Sequence, residues 1–197
     1  MKIYIGIDPS INSTGVCIQK INDDNKEEAP IFFIIKPNKL TKREQKINIE
    51  NFNYIIYNKE DLSKYKSEKS HLFEYYKTLN IIDIANKLYD IIKDFIDDST
   101  TVVMEGISYG SSLRTKSIFD LAGLNYLIRE KLIRNNINLN ICPPAEIKKF
   151  ASGKGNANKD ILIEAFLVMF PQFNDIDKID DIVDAYFMCK YAFMLDQ

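Results

Sequence analysis

A chain of 197 residues, 46% hydrophobic and 27% charged, is long enough to bury a core without disulfide or metal staples, and it reads as one domain over residues 1–197. No apolar run approaches the roughly 18 residues of a membrane span, and the chain starts in a strand pattern rather than a leader peptide. A net charge of −2, three scattered cysteines (Cys17, Cys142, Cys189) and the single His71 point to a cytosolic-type protein with reduced thiols, exclude a His-rich zinc site, and leave acid–base or metal chemistry to 28 carboxylates.

Residues 2–8 (KIYIGID) read as a buried strand ending in an acid, Asp8, and residues 14–20 (TGVCIQK) as a second strand returning antiparallel across the turn PSINS. After the solvated loop DDNKEEAP, IFFIIKP at 31–37 predicts a third strand stopped by Pro37. Residues 38–69, where lysines and asparagines surround NYIIY, read as a long excursion with a little strand, facing solvent or a partner. From Ser70 to Phe95 apolar residues recur at helical spacing. TTVVMEG then repeats the opening pattern, a short apolar strand ending in an acid, Glu105. The polar loop ISYGSSLRT leads into an amphipathic helix over 116–135, and NLNIC (138–142) is a strand stopped by Pro143 and Pro144. AEIKKFA is a short helix, GKGNAN a glycine-bearing loop, and KDILIEAFLVMF and DDIVDAYFMCKYAFML are the last two helices. This order predicts an α/β fold: a mixed five-stranded sheet, antiparallel in its first three strands and parallel after, with helices on both faces.

Charge is unevenly spread. From Ser108 to Asp160 nine basic residues face four acids, whereas from Gln172 onward six aspartates face only Lys178 and Lys190. That suits a phosphate-gripping surface around a carboxylate site, and equally two solvated faces of opposite bias. Taken singly, Asp8 is an ordinary turn acid, and Asp180–Asp181 an ordinary N-cap and dipole partner. Asp184 is harder to dismiss, being one turn inside an apolar helix and on the same face as Asp181. With the first strand central and the fourth beside it, Asp8 and Glu105 end next to each other. A half-buried carboxylate cluster raises its own pKa values and is relieved by hard divalent cations, Mg²⁺ first and Mn²⁺ as a substitute. Two such ions about 4 Å apart clamp a phosphodiester under in-line attack.

IGIDPSINSTG, VVMEG, PPAEIKKFASGKGNANKDIL and DDIVDAYFM, in this order, resemble the RuvC-type Holliday junction resolvases of the RNase H-like nucleases. The resemblance implies an RNase H-like fold and Mg²⁺-dependent nicking of DNA four-way junctions by a homodimer, with two ions per site. It places Asp8, Glu105, Asp181 and Asp184 as catalytic metal ligands. Lys148 and Lys159 fall on the family's basic positions beside the G-x-G loop, and Lys149, Lys154 and Arg114 join them as candidate DNA contacts. Ser10 stands where the family has glycine, and Ser108 where it has a junction-wedging aromatic, so the adjacent Tyr109 is the candidate wedge. The bias toward Asn, Ile and Lys suits a phage-like or low-GC source, which would put the protein in a cytoplasm, the host's if it is viral. The helix at 116–135 is the candidate dimer surface.

Three other readings use parts of the same pattern. One is an RNase H-like nuclease acting on flaps, branched replication intermediates or RNA–DNA hybrids. A second is an actin-type ATPase, because DPSINSTG resembles a phosphate loop, although that architecture needs a second such domain. The third is a non-catalytic junction-binding protein on the same fold.

Overall fold

The computed structural model describes residues 1–65, 70–107, 117–155, 158–177 and 179–197. Six strands form one sheet in the order β4-β3-β2-β1-β5-β6, with β1 Lys2–Asp8, β2 Thr14–Ile21, β3 Ile31–Pro37, β4 Phe52–Tyr57, β5 Thr100–Glu105 and β6 Asn138–Cys142. β2 pairs antiparallel with both β1 and β3, while β1–β5, β5–β6 and β3–β4 are parallel, so β2 alone runs against the other strands. The mixed sheet matches the expectation from sequence. The sixth strand is a correction to the expected five: FNYIIY, inside the 38–69 excursion, has the aromatic and β-branched content of a strand and closes the β3 edge. The crossover between β3 and β4 is tied down by the buried Glu44, which accepts hydrogen bonds from Lys36 Nζ and from the Thr41 amide at 2.7 Å.

Period-2 alternation sorts the strand side chains onto two faces. Ile3, Ile5 and Ile7 of β1, with Val16, Ile18, Val102 and Met104, pack under α1 (Ser70–Ile92) and α2 (Ser117–Arg134), against Ile84, Leu88, Leu124, Ile128 and Leu132. The long helix ends in a 3-10 turn over Lys93–Phe95. Tyr4, Cys17, Phe32, Ile34 and Val103 point the other way, toward α3 (Pro144–Ser152), α4 (Lys159–Met169) and α5 (Ile179–Leu195). An aromatic cluster fills that side, with the Phe32 ring 5.1 Å from Phe173 and 5.7 Å from Phe166 in edge-on contacts. Among the described residues no helix is long and apolar enough to cross a membrane.

Helix α5 lies directly on the middle of the sheet because β1 and β2 present glycines to it. A Cβ at Gly6 would overlap the carbonyl oxygen of Ala185, and one at Gly15 would overlap that of Asp181. Gly6 pairs with Cys17 and Gly15 with Asp8, so the two clearings lie on adjacent strands along the path of the helix. This close approach brings the first turn of α5 over the C-terminal end of β1.

Candidate functional site

Asp8 is the last residue of β1, and alternation turns it to the α5 face with Tyr4 and Gly6. Glu105 ends β5; the parallel register pairing Ile7 with Met104 places it beside Asp8 and on the same face. Asp181 and Asp184 come down onto this edge from α5. The four acids expected from the sequence therefore meet at the carboxyl end of the sheet, where β1 is flanked by an antiparallel strand on one side and a parallel one on the other. Such a reversal of connection is where open α/β sheets bind ligands.

The site is crowded with like charge. Asp8 is 8% exposed and Asp181 9%. Burial pushes the Asp8 carboxyl well above the usual range, and the charges of Glu105, Asp184 and Asp181 push it further, with the Lys159 ammonium opposing. Glu105 is raised to about 7 by burial and the Asp184 charge, opposed by Lys159 and Lys148 and by a hydrogen bond with Asp8. Lys159, the first residue of α4, sets its ammonium 2.9 Å from Asp184 Oδ2 and 3.3 Å from Asp180 Oδ2. Burial lowers the pKa of this amine, and the charges of Asp184, Asp180 and Asp8 more than offset it, so it stays protonated.

The neighbouring aspartates at the start of α5 separate cleanly. Asp181 is buried above Gly15, whereas Asp180 remains on the rim and pairs with Lys159. Both acids also sit favourably in the first turn of the helix. Lys148 stands on α3 close enough to bias the ionisation of Glu105. Lys149 and Lys154 are exposed on α3 and the loop after it, and no contact to the acids is seen for either among the described residues. Tyr109 and Arg114 lie outside the described residues.

Sequence reasoning missed Asn125. It is buried in the apolar face of α2, and its Nδ2 donates to the backbone carbonyl of Glu105 at 3.0 Å, anchoring the strand end that carries the acid. The available signal was an amide on the same helical stripe as Leu121, Ile128 and Leu132, the kind of interruption that marked Asp184. Gly6 and Gly15 were also missed as points of close approach, since a glycine in a strand does not announce which helix will cover it.

The donor set suits a hard divalent ion: it is all oxygen, carries excess negative charge and is partly buried, which a cation relieves. Among the described residues no three acids, cysteines or histidines already close on a single point, and Asp184 contacts Lys159 instead.

No protein-family model and no curated protein matches the sequence. Solved structures do match in fold. The RuvC structure from Thermus thermophilus aligns with TM-score 0.57 at 12% identity over 98% of this chain and 96% of that one. T. thermophilus RuvC in complex with a Holliday junction substrate aligns with TM-score 0.56 at 13% identity over 96% of this chain and 91% of that one. The fold is that of the RuvC resolvases. The fowlpox virus resolvase, solved with its substrate Holliday junction DNA, aligns with TM-score 0.51 at 13% identity over 99% of both chains. These alignments run over nearly the whole length of the chain.

Proposed function

We propose that this chain is a metal-dependent endodeoxyribonuclease that resolves DNA four-way junctions by paired nicks. The observation that carries the reading is the meeting of Asp8, Glu105, Asp181 and Asp184 at one sheet edge of a RuvC-like fold. Support for the substrate comes from the structural neighbours, two of which are described with Holliday junction DNA. Asp8, Glu105, Asp181 and Asp184 would hold two Mg²⁺ ions, with Mn²⁺ as a substitute. Ions bound there supply a water nucleophile at neutral pH and charge neutralisation at the attacking and leaving oxygens. Lys148 and Lys159 on the rim grip non-bridging phosphate oxygens of the strand being cut, and Asn125 keeps the Glu105 strand end in place. Asp180 holds the Lys159 ammonium at the rim, within reach of both Asp184 and an incoming phosphate.

Paired nicks need two sites, and a homodimer supplies them. α2 carries Phe119, Tyr126 and Ile133 at a seven-residue repeat, 80%, 57% and 61% exposed, an apolar stripe that a second copy would cover. The test is a panel of four-way junction, flap, duplex and RNA–DNA hybrid substrates with Mg²⁺ or Mn²⁺. Symmetrical paired nicks in the junction, lost in Asp8→Asn while junction binding persists, are the expected result. Preference for a flap or hybrid would reassign the substrate within the same chemistry, and full activity of Asp8→Asn would overturn the proposal.

A further inference from the structure

Beyond the carboxylates, the C-terminal ends of β5 and β6 open into a cleft of about 610 Å³ between α2 and α3, within the roughly 300–1,000 Å³ range of ligand sites. Its walls pair apolar surface from Ile107, Ile141, Pro143 and Pro144 with two cations, Arg129 and Lys148, and hold no acid among the described lining residues. Arg129 is the informative group. Its guanidinium lies 5.0 Å from the Tyr126 ring centre, which holds it in place. Its Nε is buried and has no hydrogen-bond partner among the described residues. A guanidinium N–H left in that condition normally has a ligand or water to complete it. One helical turn before it, Asn125 Oδ1 is likewise buried without a partner among the described residues, while the Nδ2 of the same amide holds Glu105.

The cleft is continuous with the acid site. Gly106 and Ile107 in its wall directly follow Glu105, and Lys148 acts on both, lining the cleft and lowering the pKa of Glu105. We propose that this cleft seats the nucleotide next to the scissile phosphate on the cut strand, with Arg129 and Lys148 on its phosphate and the sugar or base against Ile107, Ile141 and the two prolines. A strand leaving the acids on the Glu105 side meets this cleft first. Two cations without an acid select an anion, and the apolar wall selects more than bare phosphate. Arg129 is thereby a DNA-binding residue contributed by α2, bordering the apolar stripe whose Tyr126 it stacks on.

This inference rests on the nuclease reading, so the experiment separates the two. Junction affinity is measured by fluorescence anisotropy with Ca²⁺ in place of Mg²⁺ over a series of salt concentrations, alongside single-turnover nicking with Mg²⁺. Arg129→Gln is expected to weaken junction binding about tenfold and to lower the slope of log affinity against log salt by about one. Arg129→Lys should recover most of the salt slope. Ile141→Trp, which fills the cleft from an exposed position without removing a charge, should weaken binding similarly and serves if Arg129→Gln does not fold. A wild-type chain that binds and nicks the junction, with both variants indistinguishable from it, overturns the cleft alone. A wild-type chain that binds no branched DNA overturns both readings.

Discussion

Glu105 shows what crowding like charges costs a single residue. Its carboxyl ionises near 4.5 in an unfolded chain and near 7 in the folded one. Glu105 therefore carries no ionisation penalty in the native state at low pH, the penalty grows as pH rises through its folded pKa, and it is full above that. Metal-free protein should melt at lower temperature at pH 8 than at pH 5.5 on account of this site, and Mg²⁺ should restore the loss at pH 8. Glu105→Gln should remove much of the pH-dependent drop while abolishing nicking. Scanning fluorimetry of the two proteins across that range, with and without Mg²⁺, measures both effects; equal pH dependence in both would remove Glu105 as its source. The two neighbouring aspartates give a second residue-scale expectation. Asp181→Asn, which alters a buried acid beside Asp8, should reduce single-turnover nicking by more than about 100-fold, whereas Asp180→Asn, on the rim, should cost less than about tenfold. Equal losses would erase the distinction drawn between them.

At the scale of elements, the decisive contact is α5 on β1 and β2. The glycines there are a packing requirement, since the atoms a Cβ would meet are backbone atoms of the helix and cannot swing aside. Gly15→Ala and Gly6→Ala should each destabilise the protein by about 3 kcal/mol or more in urea unfolding, at the upper end of overpacking effects. Even a folded Gly15→Ala should nick poorly, because lifting α5 carries Asp181 and Asp184 away from Asp8. The excursion offers a contrasting case, because its ion pair touches none of the four acids. Glu44 is buried and bonded to Lys36 and Thr41, so Glu44→Ala leaves Lys36 without its partner and the crossover untied. A loss of about 2–3 kcal/mol is expected, with nicking by the fraction that remains folded unchanged.

For the whole molecule, the arrangement joins three surfaces around one end of the sheet: acids on the α5 side, cations from α3 and α4 on the rim, and the apolar stripe of α2. Replacing Phe119 and Ile133 together by aspartate should turn the proposed dimer into a monomer in light scattering and leave single unpaired nicks in the junction in place of symmetrical pairs. A double variant that stays dimeric would move the interface elsewhere.

Much of this was legible in the chain. The alternation of β1, the helical spacing of α1 and α2, and the prolines after β6 are local signals, so strand and helix types came out of them directly. The acids stood out because each interrupts an apolar pattern, Asp8 and Glu105 at strand ends and Asp184 inside a helix. β4 was read only as a little strand, because its pairing with β3 is parallel and reached through a long crossover that leaves no local turn signal. Asn125 and Arg129 were missed for a related reason: a polar residue on a helix acquires its meaning from what the helix covers. Sequence alone thus determined most of the elements and singled out the acids as candidates, because both signals come from neighbours a few residues away. Only the tertiary structure decided that Asp181 rather than Asp180 is buried beside Asp8, that Lys159 stands among the carboxylates, and that a cationic cleft continues from Glu105, because each depends on backbones meeting across long sequence separations.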